Sequence, residues 1–285
     1  MGFKRLIKEY LKDKLTEMEL NQLPRGFQTL GKIIILRLNP KLFEKKKLIA
    51  EAYLELLPHI RSIYLNKGKI EGKFRTPRSI EFLAGENNPI VEHKEHDIKY
   101  KFNITKIMFS QGNLNERRFL ATLVEDGEII VDMFAGIGYF SLPIAKHANP
   151  ERIYSIELNP TAYNFFVENI QLNELEKKIN PILGDCKEIV VQLSEKGIRA
   201  NRVIMGVFPA PKNYIKEALT LTKEEGTIFH YEGVVKKENY LSLYNEFKEI
   251  AEKERYSCSL ESKRFVKGYG PHLKHVVLDI LVLRN

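Results

Sequence analysis

Only two cysteines, Cys186 and Cys258, occur among 285 residues. That is too few for a disulfide framework or a thiolate zinc site, so a reducing cytoplasmic setting is expected. No apolar run approaches the roughly 20 residues needed to cross a bilayer, and no membrane association is expected. The opening Met1-Gly2-Phe3-Lys4-Arg5-Leu6-Ile7 lacks the apolar core and cleavage site of a secretory leader and reads as an amphipathic helix. His230, His272 and His275 are not at metal-ligand spacing, so no metal is expected and structural roles suit all three. Internal repeats and low-complexity tracts are absent. The length suffices for one large domain or two, with ample core.

What is present centres on one turn. Glu128-Ile129-Ile130-Val131 reads as a buried strand and Leu142-Pro143-Ile144-Ala145-Lys146-His147-Ala148 as a helix. Between them runs Asp132-Met133-Phe134-Ala135-Gly136-Ile137-Gly138. Strand, Gly-x-Gly turn and helix in that order are how open α/β folds build a nucleotide crevice. The dinucleotide fingerprint is incomplete, because Ser141 stands where its third glycine would be. No Lys-Ser/Thr pair follows to cradle phosphate. A second strand, Arg152-Ile153-Tyr154-Ser155-Ile156-Glu157, ends in an acid 25 residues after Asp132. A carboxylate there suits a ribose diol. An acid at the turn, a ribose acid and no phosphate cradle together favour S-adenosylmethionine, with Asp132, Ala135, Gly136, Gly138 and Glu157 as its contacts.

The net charge of +8 is unevenly spread: residues 1–100 hold 20 Lys and Arg against 13 Asp and Glu, whereas residues 101–285 hold 25 against 24. With an adenosyl site elsewhere in the chain, this surplus points to a polyanionic partner, nucleic acid. The pattern along the chain is two-part. Ile33–Leu36, Ser62–Leu65, a piece around Phe74-Arg75, Ser79–Leu83 and Ile98–Phe102 read as short strands, and Leu42–Leu57 as a helix. From about residue 104 strands alternate with helices, including strands at Arg202–Met205, Thr227–Tyr231 and His275–Val282. The expected fold class is α/β: a Rossmann-type, doubly wound domain over 104–285, preceded by a smaller basic α+β domain over 1–103.

Several motifs occur in one order: Met108-Phe109-Ser110-Gln111-Gly112-Asn113-Leu114-Asn115-Glu116-Arg117, the Asp132–Pro143 turn, Glu157-Leu158-Asn159-Pro160, Glu168-Asn169-Ile170-Gln171-Leu172-Asn173 and Met205-Gly206-Val207-Phe208-Pro209. This order resembles the family that joins tRNA guanine-37 N1-methyltransferases to the wyosine-pathway aminocarboxypropyltransferases. The resemblance implies a class I methyltransferase-like domain and a small domain that grips tRNA. The methylating branch carries Asn-Leu-Pro at the end of its fourth strand, where this chain has Met205-Gly206-Val207-Phe208-Pro209, similar to the aminocarboxypropyl branch. Loss of a polar clamp at Gly206 lets another carbon of the sulfonium face the acceptor. The activity implied is transfer of the 3-amino-3-carboxypropyl group to 4-demethylwyosine in the anticodon loop of tRNA-Phe, with methylthioadenosine released. Guanine N1-methylation and a non-catalytic tRNA-binding module are the alternatives.

The resemblance also places residues. Ser110 and Arg117 fall at cofactor positions, Arg117 as a fork for the methionyl carboxylate. Glu116 falls where the methylating branch keeps a carboxylate base. Asp185 would accept from the adenine amino group and the Cys186 backbone N–H would face a ring nitrogen, while Pro209 would shape the floor under the acceptor base. Arg75 and Arg78 are the expected substrate contacts from the small domain. Lys263, Arg264, Lys267 and Lys274, flanking Gly268–Pro271, are expected at the tRNA backbone.

Overall fold

The computed structural model describes residues 2–68, 70–71, 76–77, 79–109 and 111–285. The chain forms two compact units, Met1–Phe109 and Ser110–Asn285.

In the first unit, Ile7 and Leu11 lie one helical turn apart on α1 (Phe3–Leu11), and both are fully buried. Helix α2 (Glu17–Gln22) starts with a capping box in which the Thr16 hydroxyl and the Glu19 carboxylate satisfy each other's backbone N–H. A four-stranded sheet follows the order β1 (Gln28–Leu30), β2 (Ile33–Leu36), β3 (Ser62–Asn66), β6 (Ile80–Gly85), and β2 and β3 run parallel. That crossover needs a connecting helix, which is α3 (Lys46–Leu56). The helical pattern from Leu42 begins as a 3-10 turn over Pro40–Lys45. Two antiparallel pairs complete the unit: β4 (Ile70–Glu71) with β5 (Thr76–Pro77), and β7 (Ile90–Glu95) with β8 (Ile98–Asn103). Phe109 stacks on Phe102 of β8, with centroids 4.9 Å apart. Residues 104–109 thus belong to the first unit, later than the expected break at 103.

The second unit comprises α4 (Leu114–Thr122), β9 (Ile129–Asp132), α5 (Ser141–His147), β10 (Arg152–Glu157), α6 (Pro160–Leu172), β11 (Ile179–Leu183), α7 (Cys186–Glu195), β12 (Arg202–Met205), α8 (Ile215–Ala218), β13 (Thr227–Lys236), α9 (Tyr240–Lys253), β14 (Tyr256–Gly270) and β15 (Leu273–Arg284). Its seven-stranded sheet has the order β11-β10-β9-β12-β13-β15-β14. The first five are parallel, and β15 and β14 are antiparallel additions. This is the doubly wound class I arrangement expected from sequence. After β9 the chain builds outward to β10 and β11, then returns to β12 on the other side of β9. Folds of this kind bind ligands at that switch point, here the carboxyl ends of β9 and β12.

β14 was not apparent in the sequence. It is an edge strand whose burial alternates residue by residue from Tyr256 to Val266, with Ser257, Ser259, Glu261, Lys263 and Phe265 outward. Its apolar count is therefore low, and two-residue alternation carries the signal instead. The centre of the sheet is pinned, at the amino ends of β9 and β12, by a buried fork: Arg202 donates to Glu128 through Nε (3.1 Å) and Nη2 (3.0 Å) and to Leu123 O (2.8 Å), joining β12 to the chain entering β9.

Alternation divides the right half of the sheet into two unlike faces. Phe229, Tyr231, Val276, Leu278 and Ile280 enter the apolar core, where Phe229 and Tyr231 meet Phe247 of α9 edge to face. The intervening residues, His230, Glu232, His275 and Asp279, take the opposite face.

Candidate functional site

The turn after β9 is built from its backbone. Ala135 N–H donates to Ile156 O at 2.9 Å, tying the turn to β10, and Ala135 O accepts from Gly138 N at 2.9 Å. Gly136 and Gly138 have φ of +60° and +95°, conformations that an L side chain rarely adopts. A Cβ at Gly138 would fall 2.6 Å from Leu142 and 2.7 Å from Phe166, so that glycine also lets α5 and α6 close on the turn.

Glu157, at the end of β10, reaches across to the same turn. Its Oε2 accepts from Gly136 N–H and its Oε1 from Asn159 N–H, each at 2.7 Å. Burial pushes its carboxyl up, opposed by hydrogen bonds from the Asn159, Gly136 and Leu158 N–H groups. The carboxylate keeps acceptor capacity beyond these bonds, as a ribose hydroxyl requires. Asn159 caps α6, accepting from Thr161 N–H at 3.0 Å, and links the acid to the helix start.

Asp132 points inward. It is fully buried, accepts from the Ser141 hydroxyl at 2.7 Å, and Ser141 in turn meets Ser155 at 2.8 Å. Burial raises its carboxyl to about 6, with the charges of Glu157 and Glu232 adding to the rise. The structure makes Asp132 a support beneath the turn rather than a surface of the crevice. Ser141, where the third glycine was missing, is its partner.

Asp185 caps α7, accepting from Lys187 N–H at 3.1 Å. The Cys186 thiol is pushed up to about 12 by burial and by Asp185, so it stays un-ionised. Recognition through the Cys186 backbone is compatible with that. Arg117 is buried on α4, with its guanidinium 4.5 Å from the centroid of Tyr139. Tyr139 lies beside Gly136, where a Cβ would come within 2.8 Å of its ring. The sequence reading missed Tyr139, although it stands inside the glycine motif. Arg75, Arg78 and Ser110 lie outside the described residues.

Glu116 departs from expectation. It is buried, accepts from Arg264 Nη2 at 3.0 Å and Nε at 3.1 Å, and lies 3.2 Å from His230 Nε2. His230 Nδ1 pairs with Asp279, which also receives Arg264 and the Ser262 hydroxyl. Burial alone would raise Glu116 and Asp279, but hydrogen bonds from His230 and Arg264 overcome it and hold both below the usual carboxylate range. Burial would lower His230, and its two carboxylate partners raise it instead. The group is thus two cations against two anions. Glu116 is a member of a charge-paired joint between α4, β13 and β14. Arg264, expected at the tRNA backbone, is likewise turned inward, with its guanidinium 5.0 Å from the Phe119 centroid. Lys263 instead donates to the Tyr240 hydroxyl at 2.8 Å.

At the end of β12, Pro209 O accepts from Val234 N–H at 3.1 Å, pinning the Gly206–Pro209 loop to β13. Phe208 meets the His275 ring edge to face at 4.6 Å. A Cβ on Gly206 would fall 2.8 Å from Phe140 Cε2 and 3.4 Å from Glu232 Oε1. Any side chain there would have to displace Phe140. Among the described residues no group of three or more metal-ligating side chains converges.

Residues 91–259 match the TRM5/TYW2 methyltransferase domain, and residues 7–88 match the TYW2 N-terminal domain. The chain is 36% identical over 255 residues to the tRNA(Phe) (4-demethylwyosine(37)-C(7)) aminocarboxypropyltransferase of Methanocaldococcus jannaschii, covering 89% of this chain and 96% of that protein. It is 31% identical to the tRNA (guanine(37)-N(1))-methyltransferase Trm5b of Pyrococcus abyssi, covering 91% and 76%. The crystal structure of Pyrococcus horikoshii TYW2 in complex with MeSAdo superposes with a TM-score of 0.83, at 31% identity, over 99% of this chain and 100% of that one.

Proposed function

The chain belongs to the TRM5/TYW2 methyltransferase family, and from that premise we propose that it is a tRNA aminocarboxypropyltransferase. Its donor is S-adenosylmethionine and its acceptor is 4-demethylwyosine at position 37 of tRNA-Phe. The observation that carries this reading is the corner at Gly206. Where the methylating branch has a polar side chain, Phe140 and Glu232 line the space, and a Cβ at 206 would fall 2.8 Å from the Phe140 ring. The 36% identity to an aminocarboxypropyltransferase against 31% to a methyltransferase points the same way.

S-adenosylmethionine supplies a carbon next to its sulfonium: the acceptor carbon bonds to it as the C–S bond breaks, sulfur keeps the electron pair in methylthioadenosine, and the acceptor's proton is lost. The chain's part is to hold and orient. Glu157 would accept the ribose hydroxyls while its bond to Gly136 N–H keeps the turn closed. Asp185 and the Cys186 backbone would take the adenine edge, and Arg117 the carboxylate. Ala135, Gly136 and Gly138 would let the ligand lie against bare backbone. Pro209 would shape the floor for the base. Glu116 keeps α4, which carries Arg117, fixed to β13 and β14. The small unit, with its surplus of basic residues, would grip the tRNA, Arg75 and Arg78 included.

The test offers the purified chain S-adenosylmethionine labelled either in the methyl group or in the carboxyl carbon, with unmodified, guanine-methylated or precursor-bearing tRNA-Phe. Carboxyl label entering only the precursor-bearing tRNA, with methylthioadenosine released, is expected. Methyl label entering unmodified tRNA would replace this reading with N1-methylation.

A further inference from the structure

Three buried carboxylates approach the carboxyl edge of the sheet in the second unit: Asp132, Glu116 and Glu232. Asp132 is engaged by Ser141 and by Phe134 N–H, and Glu116 by His230 and Arg264. Glu232 differs. Its Oε2 meets His275 Nε2 at 2.9 Å, but its buried Oε1 has no hydrogen-bond partner among the described residues, and neither has His275 Nδ1. Both residues are 0% exposed. They are diagonal neighbours on the β13–β15 ladder, where Glu232 faces Val277 and Val234 faces His275. A buried carboxylate oxygen without a partner is costly, and its place beside Gly206 at the end of β12 calls for a donor that arrives from outside.

Strand order indicates what that donor is. Asp185 follows β11, Glu157 ends β10, the glycine turn follows β9, Gly206 follows β12 and Glu232 lies on β13. Adenine and ribose groups held over β11 and β10 therefore direct the remainder of the same ligand past β9 toward β12 and β13. The Oε1 of Glu232 lies 3.4 Å from the Cβ position of Gly206, so the glycine leaves only backbone at that point. The Phe140 ring shares the corner.

We propose that Glu232, oriented by His275, receives the α-ammonium of the donor's amino-acid arm and so determines how that arm lies. This rests on the proposed function only in taking S-adenosylmethionine as the donor. A carboxylate delivered from β13 takes the place of a polar side chain from residue 206, approaching from a different direction. The Phe208 ring against His275 couples this pair to the loop that carries Pro209.

The test is titration calorimetry on the full chain with three ligands: S-adenosylmethionine, its analogue with the α-amino group replaced by hydrogen, and methylthioadenosine, which lacks the whole arm. Wild type should bind S-adenosylmethionine about ten- to a hundredfold more tightly than the deaminated analogue. Glu232→Gln should collapse that ratio to near one and leave methylthioadenosine affinity unchanged. His275→Phe should narrow the ratio in the same direction. Should the variants fail to fold, the wild-type ratio decides alone: equal affinity for the aminated and deaminated ligands overturns the assignment. So does a Glu232→Gln chain that loses all three ligands equally. A wild-type chain that binds none of them overturns the functional reading as well.

Discussion

The same face of β13 and β15 carries two buried ionisable groups that differ in completeness. Around Arg264, every charge has a partner of opposite sign: Glu116 and Asp279 are the anions, Arg264 and His230 the cations. Two residues along β13, Glu232 pairs with His275 of β15, and one oxygen and one nitrogen of the pair have no partner among the described residues. Saturation marks a structural joint, because a carboxylate already accepting from a guanidinium and an imidazolium has little left to offer a substrate. An open position marks a place where a ligand can complete the set. Residue type alone would rank the two alike; hydrogen-bond count separates them.

The largest effect should come from breaking the saturated group. Arg264→Ala leaves Glu116 and Asp279 facing a single cation in a buried setting and should cost about 3–5 kcal/mol of stability, read by chemical denaturation. Glu116→Gln sharpens the contrast: it should lower stability by about 1–3 kcal/mol while leaving the shape of the pH–rate profile unchanged. Loss of one limb of that profile, with a hundredfold or greater fall in kcat, would restore Glu116 as the proton acceptor. The advantage of wild type over Asp279→Asn should also depend on pH. The folded-state carboxyl is held below its unfolded value near 3.8, so the advantage is full above that value and shrinks as pH falls through the folded one.

Asp132 has the opposite sign. Its folded value is raised to about 6 from 3.8, so between those values the folded chain binds the extra proton. Stability from this group is greatest below pH 4 and is lost as pH rises through 6, and Asp132→Asn should flatten that slope in melting curves. The smallest effect expected is Gly206→Ala, whose Cβ would meet Phe140 at 2.8 Å. The ring has to shift, at a cost of about 1–2 kcal/mol.

The glycine turn, the ribose acid and the alternation of strands and helices were legible because each depends on local chemistry. Gly136 and Gly138 mark positive φ, Glu157 ends an apolar strand, and Ser141 interrupts a fingerprint at a countable spacing. Even so, the reading assigned Asp132 to the ligand, whereas its Ser141 partner, nine residues away, draws it under the turn. Glu116 looked like a base because its motif placed it beside Arg117. Its partner Arg264 lies 148 residues further along, on a strand too polar to be noticed.

The amino-acid sequence by itself determined that a doubly wound domain would form, where its crevice would open and which acid would end β10, since periodicity and turn chemistry act over a few residues. Which buried charges are neutralised, and which keep an open valence toward the crevice, was decided only when β13, β14 and β15 came into register with α4. Ion pairing and desolvation depend on distances of a few ångströms between side chains more than a hundred residues apart.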